Sequence, residues 1–317
     1  MTGLQKEMPL PLRPDSEFML HSTYSGEIAA LLVAFFWTIT ALSFEVASNR
    51  IGSLAVNLLR LAFAMVFLSV FTWIYRGYLL PTDASGHAWF WLGMSGFVGF
   101  VFGDYFLFKS YTLIPSRISM LVMTFVPPVT AFLGYVVLGE LMTLKHLLGM
   151  MLTVSGIAMT IFSRNKESGK FSLHYPIKGI LFAFFGVLGQ AGGLILSKYG
   201  MQEYDPFSST QIRIVAGLIG FGLIIVLTRN TRIITKAFSD RKAIATTLNG
   251  SFFGPFLGVS FSLLAIQHTG TGIASTLMAI VPILIIPPSA ILLKQKVGLI
   301  DYLGAAVSVS GVILFFV

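Results

Sequence analysis

Apolar residues in this chain fall into ten long blocks separated by short polar connections. A bilayer core of about 30 Å requires roughly 20 apolar residues in helical form, and each block is close to that length. The blocks cover residues 27–46, 53–75, 89–110, 116–138, 144–162, 177–197, 207–228, 244–266, 270–293 and 298–317. The longest connections between them are too short to hold a folded domain. The pattern therefore predicts an all-α membrane protein with ten transmembrane helices.

The ten blocks form two similar sets of five. In the last three helices of each set the copies lie 155 residues apart, so that Val154-Ser155-Gly156 corresponds to Val309-Ser310-Gly311. Arg60 corresponds to Arg213 at an offset of 153. The order and spacing of these matches indicate an internal duplication. We divide the chain into a flexible N-terminal segment (1–25), a first repeat (26–162), a connecting loop (163–176) and a second repeat (177–317).

The number of helices in each repeat predicts how the repeats lie in the membrane. Five is odd, so the second repeat enters from the side opposite the first. Inverted repeats are typical of transporters that work by alternating access, with a binding site near the midplane. A duplication that only enlarged the helical bundle is the structural alternative.

Glycine and proline positions in the spans predict where helices approach or bend. The third span has Gly96, Gly99 and Gly103 on one face, and its counterpart, the eighth, has Gly250, Gly254 and Gly258. Small residues let helices pack closely in lipid, and matched faces would also suit rocking of one repeat against the other. Prolines inside spans should kink them or open them toward a cavity. These are Pro127-Pro128, Pro255, Pro282 and Pro287-Pro288.

Each repeat resembles the repeat unit of the drug/metabolite transporter superfamily, particularly the EamA family. The resemblance covers about 27–317 and rests on Arg60 and Arg213 in the second helices, and on Pro127 and Pro282 in the fourth helices. It rests also on Leu138-Gly139-Glu140, which closes the fourth helix of the first repeat. The second repeat departs from this pattern, because Gln295 occupies the position that matches Glu140.

The resemblance implies a central cavity lined mainly by the first, third, fourth and eighth helices and their partners. The expected substrate-binding residues on these helices are Trp37, Asp104, Phe108, Tyr111, Met123, Gln190, Ser260 and Met278.

Charged residues inside the spans are costly and mark candidate functional sites. Asp104 lies about six residues inside the end of its helix, and we consider two roles for it. It could couple transport to protons or bind a cationic substrate; alternatively it forms a structural ion pair with Arg60, Lys109 or Arg117. Four other charges are interpreted as structural or gating groups: Glu45, Arg60, Glu140 and Arg213.

Composition supports the membrane assignment and narrows the chemistry. Hydrophobic residues make up 55% of the chain and charged residues 11%, too few to cover a water-facing surface. There is no cysteine, and we expect no metal site or other cofactor. The net charge of +8 lies mostly in the connections. In a membrane protein, basic connections set the orientation of the chain in the membrane and contact anionic lipid, so we do not interpret the charge as nucleic-acid binding.

The absence of catalytic motifs argues against an enzyme. The chain has no DxxxD, HExxH or GxSxG motif at a membrane face and no Walker A loop, so ATP does not drive it directly. We expect a secondary transporter, exporter or exchanger, of small organic metabolites such as amino acids or related solutes, with proton coupling through Asp104 as a hypothesis. Translocation of a lipid or lipid headgroup is the alternative, since 29 Phe suit a lateral apolar groove. A channel or a non-transport membrane protein is less favoured.

Membrane orientation is predicted differently by charge and by resemblance. With the termini in the cytoplasm, five Lys and Arg residues would face inward and twelve outward, so the positive-inside rule favours both termini outside. The EamA resemblance favours both inside. We expect a multi-pass protein of the cell (inner) membrane, a monomer or homodimer whose partners are its substrate and membrane lipid.

Overall fold

The computed structural model describes residues 25–138, 144–164, 171–173, 175–229, 232–268, 274 and 277–316. Helices dominate these residues. They are α1 (Ser25–Ile51), α2 (Ser53–Arg76), α3 (Gly86–Tyr111), α4 (Ser116–Met123), α5 (Val126–Leu138), α6 (Leu144–Ile161), α7 (Ile177–Met201), α8 (Pro206–Leu227), α9 (Arg232–Phe238), α10 (Arg241–His268), α11 (Val281–Leu292) and α12 (Leu299–Phe316). Glu140 and residues 1–24 of the N-terminal segment lie outside the described residues.

Six described helices are long and apolar enough to cross a membrane: α1, α2, α3, α7, α8 and α10. Shorter apolar helices occupy 147–160, 281–292 and 299–314. The helical membrane architecture is thus confirmed at this coarser level, while the count of ten spans stays a prediction. Large apolar side chains such as Ile74, Ile291 and Leu299 are about three-quarters exposed, as lipid-facing residues are.

The connecting loop contains the only β-strands among the described residues. Strand β1 (Phe162–Arg164) pairs antiparallel with β2 (Phe171–Leu173), with Ser163 opposite Ser172. A two-stranded hairpin is marginal alone, and here it continues directly from the end of α6.

The predicted fourth span is two helices, α4 and α5, which are separated by a break at Thr124 and Phe125. Pro127 and Pro128 lie in the first turn of α5. Backbone N–H groups in a first turn have no acceptor within the helix, so a proline there costs no helical hydrogen bond. In the second repeat α11 likewise begins at Val281 with Pro282 in its first turn. These prolines therefore start helices instead of bending them.

The two glycine faces join the repeats to each other. Helix α3 of the first repeat packs on α7, the first helix of the second repeat, where a Cβ at Gly193 would lie 2.9 Å from the Gly99 Cα. Gly103 and Gly189 meet in the same way. Ser95 Oγ donates to the Gly193 carbonyl at 2.7 Å and fixes the register of the two helices.

The symmetry-related contact places α10 on α1. A Cβ at Gly250 would lie 2.5 Å from the Phe44 ring, one at Gly254 2.8 Å from Thr40, and one at Gly258 2.9 Å from the Trp37 ring. Each repeat therefore contributes its third helix to the other repeat's first helix. The halves interlock rather than forming separate bodies.

The last helices of the two repeats, α6 and α12, contact each other through equivalent residues. Thr153 Oγ1 donates to the Ser308 carbonyl at 3.3 Å, and Ser308 Oγ donates to the Thr153 carbonyl at 3.2 Å. Thr153 and Ser308 are 155 residues apart, the repeat offset. Around them Gly156 meets Gly304, so residue numbers rise along one helix as they fall along the other. The contact is self-complementary, as at a two-fold axis, and the equivalent helices run antiparallel.

Both glycine-bearing helices change to π geometry at equivalent positions. The π segments are Phe97–Asp104 in α3 and Phe252–Gly258 in α10, and Phe97 corresponds to Phe252 at the repeat offset. In a π turn each N–H bonds to the carbonyl five residues back, and such turns often occur at functional sites. Pro255 lies inside the second segment. The wider turns face the space between the repeats.

Candidate functional site

A cavity of about 150 Å³ lies between the two repeats. Its wall is mostly apolar and aromatic, with contributions from Phe44, Phe100, Phe108, Met120, Met278 and Val259. The polar side chains that line it are Trp37, Thr40, Arg60, Asp104, Tyr111, Thr124, Gln190, Arg213 and Ser262. A cavity of this size holds about one benzene-sized ring.

Asp104 forms a buried ion pair with Arg60. One carboxylate oxygen lies 2.5 Å from Arg60 Nη2, and the other accepts from Gln190 Nε2 at 2.5 Å. The two charged residues are at most 5% exposed. Asn57 accepts from Arg60 Nε at 3.1 Å and donates to the Asp104 carbonyl at 3.3 Å, which holds both residues in place. The structural ion pair therefore forms with Arg60, not with Lys109 or Arg117.

Phe100 separates the two cavity arginines. The guanidinium carbon of Arg60 lies 5.3 Å from the Phe100 ring centroid, and that of Arg213 lies 4.7 Å from it. An aromatic face attracts a cation at these distances. The Phe100 ring therefore stabilises two buried guanidinium groups of the same charge. Sequence reasoning missed Phe100, because one phenylalanine among 29 carries no distinguishing signal.

Arg213 reaches the cavity because of the glycine face on α3. A Cβ at Gly96 would collide with the backbone of Arg213, and one at Gly99 would lie 3.1 Å from Nη2 of Arg213. The residue is 4% exposed. It donates no hydrogen bond to any residue that the structure describes, and its Nε is buried without an acceptor.

Seven of the eight predicted substrate-binding residues line the cavity: Trp37, Asp104, Phe108, Tyr111, Met123, Gln190 and Met278. Ser260 does not line it; its hydroxyl donates to Thr210 Oγ1 at 3.2 Å in a buried contact. Ser262 lies on the wall instead. The preceding π segment changes the helical period, so the face of α10 after Gly258 could not be assigned from a regular α-helical repeat. Substrate binding by these residues stays a prediction.

A polar cluster, the Arg117 network, lies at the end of the molecule where α1 and α11 finish. Arg117 pairs with Asp301 at 2.6 Å and donates to Gln295 Oε1 at 3.1 Å. Gln295 in turn donates to Glu45 at 2.8 Å, and Glu45 also accepts from the Ser116 amide at 2.9 Å. The predicted structural charge Glu45 is thus hydrogen-bonded across the boundary between the repeats.

Tyr175 extends this network to the start of α7. Its hydroxyl accepts from Arg117 Nη2 at 3.1 Å. Burial raises the pKa of Tyr175, so the phenol stays protonated near neutral pH. The network ties α1, α4, the α11–α12 connection and the segment before α7 together.

A second polar cluster lies at the opposite end. Arg76 pairs with Asp83 at 2.6 Å and donates to Ser208 Oγ at 2.5 Å, and Tyr204 donates to Asp83 at 2.8 Å. Burial alone would raise the pKa of Asp83, but the hydrogen bonds from Tyr204 and Arg76 lower it. This cluster joins the α2–α3 connection to the α7–α8 connection, and so again joins the repeats.

Among the residues that the structure describes, no group of three or more His, Cys, Asp or Glu side chains is placed to hold a metal ion. The cavity offers one carboxylate, and Arg60 and Gln190 already occupy it. Its chemistry is therefore that of hydrogen bonds, charge and apolar contact.

Comparison with known families identifies the chain. The model of the EamA-like transporter family matches residues 24–162 and again residues 177–317. The chain belongs to the EamA-like transporter family. The match confirms the resemblance inferred from the arginines and prolines of the repeats, and the family is one of membrane transporters.

Other comparisons concern this EamA-like chain's fold. A search of curated proteins gives no match. Among 27 matching solved chains is one titled only as the crystal structure of a protein. It superposes with a TM-score of 0.62 over 92% of this chain and 96% of its own, at 14% identity. At that identity the likeness shows the fold alone.

Proposed function

We propose that this EamA-like transporter is a secondary transporter of small organic metabolites in the cell (inner) membrane. In this proposal it has ten spans, and two inverted five-helix repeats expose the central cavity to each side of the membrane in turn. Export or exchange is the expected mode.

The observation that carries the proposal is the position of the cavity relative to the repeats. Side chains from both repeats line it, and the equivalent helices α6 and α12 meet antiparallel through reciprocal contacts. In inverted-repeat transporters the substrate site lies at the repeat interface, and rocking of one repeat against the other changes its access. The glycine contacts of α3 with α7 and of α10 with α1 supply smooth surfaces for that motion.

The two polar clusters are the groups that would have to open. The Arg117 network joins the repeats at one end of the molecule, and the Arg76 cluster joins them at the other. In each conformation of the cycle we expect one cluster to stay formed and the other to separate. When a cluster separates, water can hydrate its charged side chains and so offset the interactions that are lost. Apolar side chains exposed to water in the same way would gain no such compensation.

Proton coupling through Asp104 has a structural condition. Because Arg60 and Gln190 occupy both carboxylate oxygens, proton uptake by Asp104 would require Arg60 to move away or to find another partner. Coupling would then link protonation to a rearrangement of α2 against α3. Uniport and exchange do not require this step.

Flux into proteoliposomes tests the proposal. Purified protein is reconstituted, and uptake across a metabolite panel is measured with and without a pH gradient, for the wild type and for Asp104→Asn. We expect saturable flux of at least one panel member. If Asp104 couples protons, Asp104→Asn should remove the effect of the gradient.

The outcomes separate the parts of the proposal. Flux that is unchanged in Asp104→Asn, with the same pH dependence, would rule out the coupling role and leave transport intact. If no soluble metabolite moves while a fluorescent lipid is translocated, the metabolite proposal is wrong and lipid translocation takes its place. Empty liposomes and liposomes with heat-inactivated protein are the controls.

A further inference from the structure

The polar side chains of the cavity differ in whether they already have hydrogen-bond partners. The hydroxyls of Thr40, Thr124 and Ser262 donate to carbonyls of their own helices at 2.8, 2.6 and 2.7 Å. Asp104 accepts from Arg60 and Gln190. Most of the polar wall is therefore satisfied without a ligand.

Among the described residues, Arg213 Nε is the one buried polar side-chain atom of this wall that has no hydrogen-bond partner. Arg213 is buried, lines the cavity and donates no hydrogen bond to a residue that the structure describes. The indole N–H of Trp37, which is only partly buried on the same wall, also has no acceptor among the described residues. A buried donor without an acceptor is costly, and more so when it is charged. A ligand that supplies a hydrogen-bond acceptor to Arg213 would remove this cost.

Repeat symmetry explains why Arg213 lacks the partner that Arg60 has. The residue equivalent to Asp104 in the second repeat, at the offset of 155, is Val259, and Val259 lines the same cavity. The first repeat thus supplies its arginine with an internal carboxylate, and the second repeat places an isopropyl group there. Arg213 therefore lines the cavity without a carboxylate of its own repeat beside it.

The charge of the lining leads to the same conclusion. Two guanidinium groups and one carboxylate line the cavity, which leaves it with a formal charge of +1. Glu45, an acid outside the wall, already accepts hydrogen bonds from the Ser116 amide and Gln295. A cationic substrate would meet a net positive cavity and a carboxylate that is already paired.

We propose that the substrate is a small organic anion, with a carboxylate or similar acidic group bound by Arg213 and an apolar body of about one ring packed among Trp37, Phe44 and Phe108. This inference rests on the proposed transport function and narrows its substrate class. A guanidinium binds a carboxylate through two parallel hydrogen bonds, and the dry, aromatic wall strengthens them. The substrate anion would pair with the charge of Arg213 as the Asp104 carboxylate pairs with the charge of Arg60.

A charge series on the wild-type protein tests the inference without any substitution. Benzoate, benzamide, phenylglycine and benzylamine share a ring and differ in carrying an anionic, neutral, zwitterionic or cationic group. Binding to the full chain in detergent is measured by calorimetry at neutral pH. We expect benzoate to bind about tenfold or more tightly than each of the other three. Phenylglycine is weaker because its ammonium group finds no unpaired acid.

Two substitutions at Val259 supply a matched pair of variants. Val259→Asp places a carboxylate in the second repeat at the position that Asp104 occupies in the first, and should pair with Arg213. Benzoate affinity should then fall by about tenfold or more, while benzamide affinity stays the same. Val259→Asn has nearly the same shape without the charge and should keep most of the benzoate affinity. Arg213→Gln should weaken benzoate as Val259→Asp does, and Arg241→Gln, outside the cavity, should not.

Each outcome bears on the inference separately from transport. Equal or tighter binding of benzamide, phenylglycine or benzylamine overturns the anion inference, as does no benzoate binding at about 10 mM. Flux of a neutral or cationic panel compound in the proteoliposome assay would also overturn it, while transport itself stands. Benzoate binding that Val259→Asp abolishes, without any flux, would support the anion site and reject the transport proposal.

Discussion

At the scale of residues, the two arginines that the repeats share have different surroundings. Arg60 has a carboxylate, an amide oxygen and three aromatic rings around its guanidinium group. Arg213 has the Phe100 ring and an open side toward the cavity. A buried arginine and its carboxylate stabilise the fold only as a pair, because removing either partner leaves an unpaired charge in the protein interior. Asp104 therefore has a role in stability whatever its role in transport.

Replacing Asp104 should be far more costly than replacing an exposed acid of the same type. We expect Asp104→Asn to lower the free energy of unfolding by about 3–5 kcal/mol, because Arg60 loses its counter-ion while remaining buried. Asp83→Asn breaks the partly exposed pair with Arg76 and should cost about 1 kcal/mol or less. Equilibrium unfolding of the two variants in the same detergent measures both. Equal losses of unfolding free energy in the two variants would mean that the buried pair stabilises the protein no more than the partly exposed one.

At the scale of elements, hydrophobic length predicted the long helices and missed how some of them are divided. The pattern 116–138 reads as one apolar run, yet α4 ends at Met123 and α5 begins at Val126. The run is continuous because apolar residues suit the buried α4 as well as α5, whose Phe132 is half exposed, and only Pro127 marks the boundary. The π segments were not predicted, since a wider turn needs no particular residue. The glycines at equivalent positions on α3 and α10 were the available signal.

The glycine contacts were predicted as packing surfaces, but not their partners. Sequence periodicity places glycines on one face of a helix and does not say which helix that face meets. The structure pairs each third helix with the first helix of the other repeat, through Gly103 with Gly189 and Gly258 with Trp37. That pairing depends on the whole topology. The same face of α3 packs on α8, where Gly96 and Gly99 leave room for Arg213 to reach the cavity.

A methyl group at the α3–α7 contact should therefore be costly. A Cβ at Gly189 would collide with the backbone of Gly103, which cannot move as a side chain can, while a Cβ at Gly222 meets nothing within 4 Å. We expect Gly189→Ala to lower the free energy of unfolding by about 1–3 kcal/mol. Gly222→Ala should be neutral or stabilise by up to about 1 kcal/mol. Thermal unfolding of the purified variants compares them, and a similar result for both would argue against close packing at Gly189.

At the scale of the whole molecule, the positions of the basic connections predict the orientation in the membrane. The chain contains no cysteine, so single cysteines report accessibility without background. The charge rule predicts that Ser85→Cys reacts with an impermeant thiol reagent in intact cells and that Ser168→Cys does not. The opposite result would place both termini in the cytoplasm, as the family resemblance implies. Labelling after membrane disruption controls for buried positions.

The reciprocal contact between Thr153 and Ser308 has a kinematic consequence. If the two repeats exchange conformations during the cycle, a contact between equivalent residues on the symmetry axis is mapped onto itself. It is then the stationary point of the motion. The contact of Ser43 with Asn249, at 2.9 Å, joins α1 to α10 away from that axis and has no such equivalence.

Cross-links at the two contacts should therefore have opposite effects on turnover. A disulfide between Thr153→Cys and Ser308→Cys should leave most of the flux, because it joins points that need not separate. A disulfide between Ser43→Cys and Asn249→Cys should stop flux until it is reduced. Flux measured before and after reductant distinguishes them, and a block at the axial pair would mean that the repeats part there. A transporter built this way could be clamped at its centre and still turn over.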